Sequence, residues 1–344
     1  MKNLAKIYNF ILRFADHPAS YLALHEKNEY FFFPDGQCMI VYRIVGKTCL
    51  VFTDPIGNSE DTQRCLKLFV EKMTQRGLRI AFFLTANKYL DLYSAFNFRH
   101  ITIGAEAIIT VPEFSLEGSA FKAMRNNIAN VKKQNIEFEW CDAADLSKKF
   151  LQSINHLYRE WVGGQKCPEL LNHLYPLEPL RKLGFGELLV ARDANKKLIG
   201  VFSFYPYKQR AGRALDLMIS SSKAPRGLVE ASIEEAIRKF KLLNIAKMSL
   251  GFTGLISSEK IISRKTAAEQ GLRFLYTNFN QLYNFRALAV FKNKFNPVWE
   301  PRFLVYQNDF ELGIIIGDLI KGSLNESVWK KVTRDWKILL NHFS

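Results

Sequence analysis

The chain is short of cysteines in useful spacing and of long apolar runs. Its five cysteines, Cys38, Cys49, Cys65, Cys141 and Cys167, are an odd set without a C-x-x-C pair. That speaks against a disulfide framework and against a zinc site, and it fits a reducing cytoplasm. No stretch approaches the roughly 18 to 20 apolar residues that a membrane-crossing helix needs. The late cluster from Leu312 to Ile316 is far shorter. The opening MKNLAKIYNFILRFADHP is interrupted by Asn9, Arg13 and Asp16, so it lacks the unbroken apolar centre of a secretory signal. The histidines, His17, His25, His100, His156, His173 and His342, are scattered; none has metal-ligand spacing or a place in a serine or cysteine triad. Acidic residues are in deficit: 48 Lys and Arg face 33 Asp and Glu, a net charge of +15. A foldable chain with that balance suits a polyanionic partner, RNA or an acidic membrane surface, and charge alone does not choose between them.

What is present is enough apolar material, 48% of 344 residues, for about two domains. Residues 29–33, 38–45 and 48–53 read as strands, the first two separated by the turn residues Pro34, Asp35 and Gly36. A helix from Ser59 to Arg76 carries Cys65, Leu66, Phe69, Val70 and Met73 at helical spacing, with Ser59 as expected N-cap and Gly77 as stop. Strands at 79–84, 99–103 and 106–111 follow, then a helix over 118–134 and another near 145–161. Further on come strands at 187–192, 198–205 and 213–219, a loop, a helix from Leu228 to Leu243 and a strand at 246–251. Strand, turn, long helix and strand thus occur twice, around 48–84 and 213–251, in the manner of an internal duplication. In the tail, Trp329, Val332, Trp336, Leu339, Leu340 and Phe343 share a helical face, with Lys330, Lys331, Arg334 and Lys337 mostly elsewhere. Such a helix either lies in a membrane interface or docks its stripe on the protein.

Six stretches, in order, resemble the bacterial phosphatidylglycerol lysyltransferases, also known as multiple peptide resistance factors. They are TDPIG at 53–57, GAEAIITVPEFSLEGSAFKAMRNNIANVKKQNIEFE at 104–139, EWVGG at 160–164, LDLMISSSKAPRGLVEASIEEAI at 215–237, SLGFTGL at 249–255 and FKNKFNPVWEPRFLVY at 291–306. The resemblance implies an α/β fold with mixed sheets, built as a tandem pair of N-acyltransferase-like lobes. It places the first lobe at 1–117, a connecting basic helix at 118–135, the second lobe with the catalytic passage at 136–308, and an amphipathic tail at 309–344. It also implies transfer of an aminoacyl group, lysyl or similar, from aminoacyl-tRNA to a lipid such as phosphatidylglycerol, from the cytoplasm or the inner membrane face. Full-length members carry a transmembrane flippase ahead of this region, which these 344 residues do not contain. That departure leaves open a different lipid, a small molecule or a peptide as acceptor.

Moving an aminoacyl group off a tRNA ester requires a hold on phosphates, a proton acceptor and donors for an oxyanion. The ester is already activated, so neither cofactor nor metal is needed. Asp216 and Arg226 are the expected catalytic residues. Asp216 sits within an apolar strand, where a buried carboxylate is costly unless paired or functional. It either binds the amino group or takes a proton, or else it pairs with Arg213 or Arg226 and braces the sheet. Its neighbours Leu215 and Leu217 are expected on the opposite face. The loop Ser220–Gly227 precedes a helix N-terminus, where Lys223, Arg226 and Gly227 suit a phosphate, as the pyrophosphate loop does in N-acyltransferases. Arg181, Gly184 and Gly186 spell R-x-x-G-x-G, but ahead of a strand, which is the wrong context for a coenzyme signature. Lys122, Arg125 and Asn126, with Lys132 and Lys133 nearby, form a basic helical face for tRNA phosphates or a merely solvated one. Trp161 and Lys166, near Gly163 and Gly164, offer a stacking surface and a phosphate contact, or a core tryptophan with a glycine cap. Gly251, in SLGFTGL, is a further expected substrate contact. The segment Trp299, Glu300, Pro301 and Arg302 is read as structural, with an ion pair of Glu300 or of Arg302 anchoring the chain end. An acyl-coenzyme A-dependent N-acyltransferase and a non-catalytic RNA- or lipid-binding module are the competing readings.

Overall fold

A computed structural model of the chain describes residues 4–25, 27–34, 36–142, 145–164, 186–254 and 285–323. The tail helix, Lys166, Cys167, Arg181 and Gly184 lie outside these residues. The strands are β1 (Glu29–Phe32), β2 (Cys38–Val45), β3 (Thr48–Phe52), β4 (Ile56–Gly57), β5 (Arg79–Ala86), β6 (Arg99–Thr110), β7 (Glu137–Asp142), β8 (Glu187–Arg192), β9 (Leu198–Tyr207), β10 (Gly212–Ser220), β11 (Lys247–Gly254) and β12 (Val298–Tyr306). They join one mixed 12-stranded sheet in the order β1-β2-β3-β5-β12-β6-β11-β10-β9-β8-β7, with β4 on β2.

That order has an internal symmetry. In the first lobe β1, β2 and β3 are antiparallel neighbours and β3 runs parallel to β5; in the second, β8, β9 and β10 are antiparallel and β10 runs parallel to β11. The duplication visible around 48–84 and 213–251 therefore extends over both lobes. The last strands are exchanged: β6, which ends the first repeat, pairs with β11, while β12, which ends the second, pairs with β5. The two meet as antiparallel partners at the centre. A division by chain order into 1–117 and 136–308 is thus crossed in space, because β12 completes the first lobe's sheet.

The helices are α1 (Leu4–Phe14), α2 (Ser59–Gln75), α3 (Leu90–Ser94), α4 (Lys122–Lys133), α5 (Lys148–Gly163), α6 (Leu228–Leu242), α7 (Phe285–Asn293) and α8 (Leu312–Ser323). α2 starts one residue earlier than its sequence suggested: Asn58, not Ser59, is the cap, its side chain accepting the Asp61 amide at 2.8 Å. Glu60 and Asp61 in the first turn favour the helix dipole. It ends in a Schellman-type closure, with Leu78 N–H donating to Met73 O at 3.1 Å and Gly77 at a φ of 66°. The pieces 99–103 and 106–111 form one strand, β6, because Gly104 does not interrupt it. A Cβ at Gly104 would lie 2.3 Å from Thr253 O, so glycine is what lets β11 approach.

In the second lobe α6 and α4 cover one sheet face, burying Met124, Ile128, Ile233 and Phe240 with Leu189, Phe202 and Leu215. α5 covers the other face, burying Ile154 and Leu157 with Leu188, Val190, Val201 and Leu217. Leu215 and Leu217 thus lie on opposite faces, contrary to simple strand alternation. A β-bulge between Leu215 and Met218 is the reason, pinned by the Leu217 amide donating to Ser203 Oγ at 2.9 Å. α1 and the short 3-10 helix Pro18–Leu24 bridge the lobes: Ile7, Ile11 and Leu24 pack with Met39 and Val41 of β2 and with Tyr205 of β9.

Candidate active site

β10 and β11 are paired only over Gly212–Ala214 and Lys247–Ser249. Beyond that point the bulge in β10 and an irregularity in β11 between Ser249 and Phe252 turn the strands apart. The gap between them is a cavity of about 230 Å³, lined by Asp216, Trp161, Gly251, Glu106 and Lys292 among others, and closed on one side by Pro18, Tyr21 and Leu22.

Asp216 lies at this opening. Its Oδ1 accepts a hydrogen bond from Tyr21 Oη at 2.6 Å. Burial pushes its carboxyl up to about 7, only partly offset by that hydrogen bond. The bracing alternative is not what the side chains do, since Arg213 Nε donates to Glu187 Oε1 at 2.8 Å. Facing the same cavity is Lys292 of α7, whose Nζ donates to Gly251 O (2.8 Å), Phe252 O (3.1 Å) and Thr253 Oγ1 (2.9 Å). Desolvation pulls its ammonium down to about 7, against the attraction of Glu106. Gly251 holds a φ of 87°, a left-handed conformation that a side chain resists, and it presents its carbonyl to Lys292. Glu106, 1% exposed, accepts a short hydrogen bond from Ser249 Oγ through Oε1, and its Oε2 lies 3.6 Å from Arg302 Nε.

Of the residues expected from sequence, Asp216, Trp161 and Gly251 are brought together here. Arg226 and Lys223 are exposed on the β10–α6 loop and do not line the cavity. Nor do Lys122, Arg125 and Asn126, which are exposed on α4; Arg125 Nη1 donates to Gly118 O at 2.7 Å and to Leu116 O. The loop 220–227 already holds an anion of its own. Glu160 Oε1 accepts from Ser221 Oγ (2.7 Å), Ser222 N (3.2 Å) and Ser222 Oγ (3.2 Å), and these bonds hold its carboxyl below its usual range. The open space at Gly227 serves helix packing, because a Cβ there would lie 2.7 Å from the Asn127 carbonyl oxygen of α4. Gly186, from the R-x-x-G-x-G string, packs against β9, where a Cβ would meet Phe204 O at 2.7 Å.

Tyr21, Glu106 and Lys292 were not singled out from sequence. Glu106, a carboxylate between alanines in an apolar strand, carried the same signal as Asp216; Lys292 lay within a quoted motif; Tyr21 carried none, because its partner is 195 residues away. Glu300 and Arg302 pair with each other at 3.2 Å, and each has a further partner, Lys247 for Glu300 and Glu106 for Arg302.

The repeat supplies a second carboxylate. Asp216 stands two residues beyond the last β10–β11 pair, Ala214 with Ser249; Asp54 stands two beyond the last β3–β5 pair, Phe52 with Phe83. Asp54 is also raised to about 7 by burial, and it too has a tyrosine partner, Tyr93 Oη at 3.2 Å, besides the Ala86 amide at 2.9 Å. It is 4% exposed and does not line the cavity beside Asp216. β3 and β5 stay paired over five residues where β10 and β11 part after three. The same placement is therefore sealed in one lobe and open in the other.

Among the described residues no group of three His, Cys, Asp or Glu side chains is placed to hold a metal, and no helix is long and apolar enough to cross a membrane. Residues 8–306 match the family model for the C-terminal region of phosphatidylglycerol lysyltransferase. A phosphatidylglycerol lysyltransferase of Staphylococcus epidermidis is 24% identical over 307 residues, covering 88% of this chain and 35% of the relative. One from Bacillus subtilis is 22% identical over 322 residues, covering 90% and 36%. The chain thus spans about a third of the length of the curated relatives it matches. The solved structure of L-PGS from Bacillus licheniformis superposes with a TM-score of 0.80 at 22% identity, covering 92% of this chain and 96% of that one. A C-terminal domain of a lysylphosphatidylglycerol synthetase from Agrobacterium fabrum, described as putative by its own name, gives 0.78 at 22% identity over 92% and 95%. The α/β fold with its two repeated lobes, the order of its motifs and the match over most of its length place this chain in the phosphatidylglycerol lysyltransferase C-terminal family.

Proposed function

We propose that the chain transfers an aminoacyl group, lysyl or a similar one, from aminoacyl-tRNA to a hydroxyl of an anionic lipid such as phosphatidylglycerol, at the cytoplasmic face of the membrane. The observation that carries this reading is a carboxylate held by Tyr21 and a buried lysine lining one cavity where β10 and β11 part. In the reaction, the acceptor oxygen attacks the ester carbonyl carbon and its proton passes to Asp216. A carboxylate with a pKa near the working pH is suited to take it and later return it. The oxyanion that forms draws stabilisation from the charge of Lys292 across a site of low dielectric, while the three N–H groups of that ammonium stay on Gly251, Phe252 and Thr253. Collapse breaks the bond to the terminal ribose, and the leaving oxygen receives the proton from Asp216. Trp161 offers a stacking surface for the terminal adenine. The family match supports the lysyl group and the lipid; the net charge of +15 supports a polyanionic donor. No cofactor or metal is required, because the ester is already activated.

An acyl-coenzyme A donor would also use parted strands. The carboxylate of Glu160 on Ser221 and Ser222 weighs against it, because that is where a pyrophosphate would seek backbone and hydroxyl donors. The deciding experiment is incubation with a mixture of charged tRNAs and total bacterial lipid, followed by mass spectrometry of the lipids. Aminoacylated phosphatidylglycerol is the expected product. Modified lipid formed only with acyl-coenzyme A, or none with any donor, would end this reading.

A further inference from the structure

β10 and β11 part because each is bulged against its outer neighbour. In β10, Asp216 and Leu217 stand opposite the single residue Ser203 of β9; in β11, Leu250 and Gly251 stand opposite Ala107 of β6. A bulge leaves one residue out of the ladder, and in both strands a serine hydroxyl takes an amide of the bulged pair. Ser203 Oγ accepts Leu217 N–H and Ser249 Oγ accepts Gly251 N–H, each at 2.9 Å. Ser203 is 1% exposed and Ser249 0%. In the first lobe β3 runs along β2 without a bulge, and the amide beyond its end, that of Thr53, donates to Phe83 O of β5 at 2.8 Å. The strands there stay together.

Behind Ser249 stands a carboxylate that the transfer chemistry does not use. Ser249 Oγ donates its own proton to Glu106 Oε1. A carboxylate oxygen only accepts, so this bond turns the hydroxyl hydrogen toward β6 and leaves the lone pairs of the serine oxygen to the Gly251 amide. Gly251, at a φ of 87°, in turn gives its carbonyl to Lys292 Nζ at 2.8 Å. Carboxylate, hydroxyl, amide, carbonyl and ammonium thus form one line of hydrogen bonds, from β6 through β11 to α7. Burying the Glu106 charge in an apolar strand is costly unless the charge is engaged. Both its oxygens are engaged, Oε1 by Ser249 and Oε2 by Arg302, whose Nε lies 3.6 Å away. Glu106 therefore acts on its neighbour in the line, not on a substrate proton.

We infer that Glu106 and Ser249 are positioning residues for the transfer: acting through Gly251, they set where the Lys292 ammonium stands in the slot, as Ser203 sets the Asp216 wall opposite. The inference rests on the proposed function for the reaction that Lys292 serves; the line of bonds is tested without it. Ser249→Ala and Ser249→Thr are compared with the wild-type chain, with circular dichroism to check folding. Two readouts need no catalysis: amide hydrogen exchange at Gly251 and Leu217 by nuclear magnetic resonance, and acetylation of Lys292 by acetic anhydride, quantified by mass spectrometry. The third is transfer from charged tRNA. In Ser249→Ala the Gly251 amide should exchange about tenfold faster, while Leu217, held by Ser203, is unchanged. Lys292 should acetylate faster, and kcat should fall on the order of tenfold or more from misplacement of the ammonium, with KM for charged tRNA unchanged. Ser249→Thr keeps the hydroxyl and should recover most of each loss. In Ser249→Ala, unchanged exchange at Gly251, unchanged labelling of Lys292 or an unchanged kcat would each overturn the positioning role. So would a threonine variant that protects Gly251 yet transfers as slowly as the alanine one. Glu106→Gln, which keeps an acceptor for the hydroxyl, should hold the Gly251 amide, and Glu106→Met should release it; equal exchange in the two would strike Glu106 from the line. Exchange and labelling of the expected pattern in a chain that transfers nothing would leave the line of bonds standing and remove the transferase reading.

Discussion

Replacing Asp216 by Asn should make the chain more resistant to heat at alkaline pH than at acid pH, relative to wild type. The carboxyl moves from 3.8 to about 7 on folding. A carboxyl raised in this way contributes stability that is fully present below about 4 and is lost as pH rises through about 7. At 1.36 kcal/mol per pH unit, ionising it in the folded chain disfavours folding by roughly 2 kcal/mol more at pH 8 than at pH 5.5. The asparagine variant does not experience that change. Differences independent of pH, such as an altered bond from Tyr21, cancel when the variant's advantage at pH 5.5 is subtracted from that at pH 8. Unfolding entropy near 2.1 cal/mol/K per residue over 344 residues makes this a differential shift of about 3 °C. Differential scanning calorimetry of both proteins at the two pH values reads it. Asp54→Asn, with a carboxyl raised to about 7 by the same cause, should behave alike. Melting curves of wild type and Asp216→Asn that run parallel from pH 5.5 to 8 would refute the desolvated carboxyl, and with it the proton-accepting role.

Lys292→Met should lower the transfer rate by about 100-fold or more, as loss of one oxyanion-stabilising group does; a single-turnover assay with charged tRNA checks it, and an unchanged rate would remove Lys292 from the chemistry. Gly227→Ala should destabilise the chain by roughly 2 kcal/mol in urea unfolding, because the residue holds a φ of 99° and the new methyl meets Asn127 at 2.7 Å. Lys122→Glu should weaken tRNA binding and flatten its dependence on salt, with the log–log slope falling by about 1; filter binding across salt concentrations measures it, and an unchanged slope would leave α4 as a solvated face. Arg125 is the less clean probe, since its guanidinium also holds the Leu116 and Gly118 carbonyls.

Most of the elements were legible because helix and strand periodicities are local. Phe69 and Met73 on α2, or Ile233 and Phe240 on α6, declare a buried face by spacing alone. Asp216 was legible for a related reason, as a charge inside an apolar strand. What local pattern could not show was where strands part. The bulge that separates Leu215 from Leu217 depends on Ser203 in a neighbouring strand, and the opening depends on how few residues β10 shares with β11. Nor did the loop 220–227 reveal that its hydroxyls and amide are taken by Glu160, about 60 residues earlier. Residues that attract anions by type bind one from within the chain when the fold brings it near. The exchange of final strands was equally hidden, because β6 and β12 each look like an ordinary closing strand for their own repeat.

That exchange has a consequence for biogenesis. β5 and β6 lie on either side of β12, so a ribosome that has released the first 250 residues leaves two long strand edges with nothing between them. The missing piece pairs Arg302 with Ala86 and Gly104, closing loops of roughly 200 residues whose ordering is entropically slow. Open edges of that kind invite pairing with other chains. Neither half can therefore be expected to survive as a separate fragment, and nascent chains of this protein should depend on holdase chaperones until the twelfth strand emerges and zips the two repeats into one sheet.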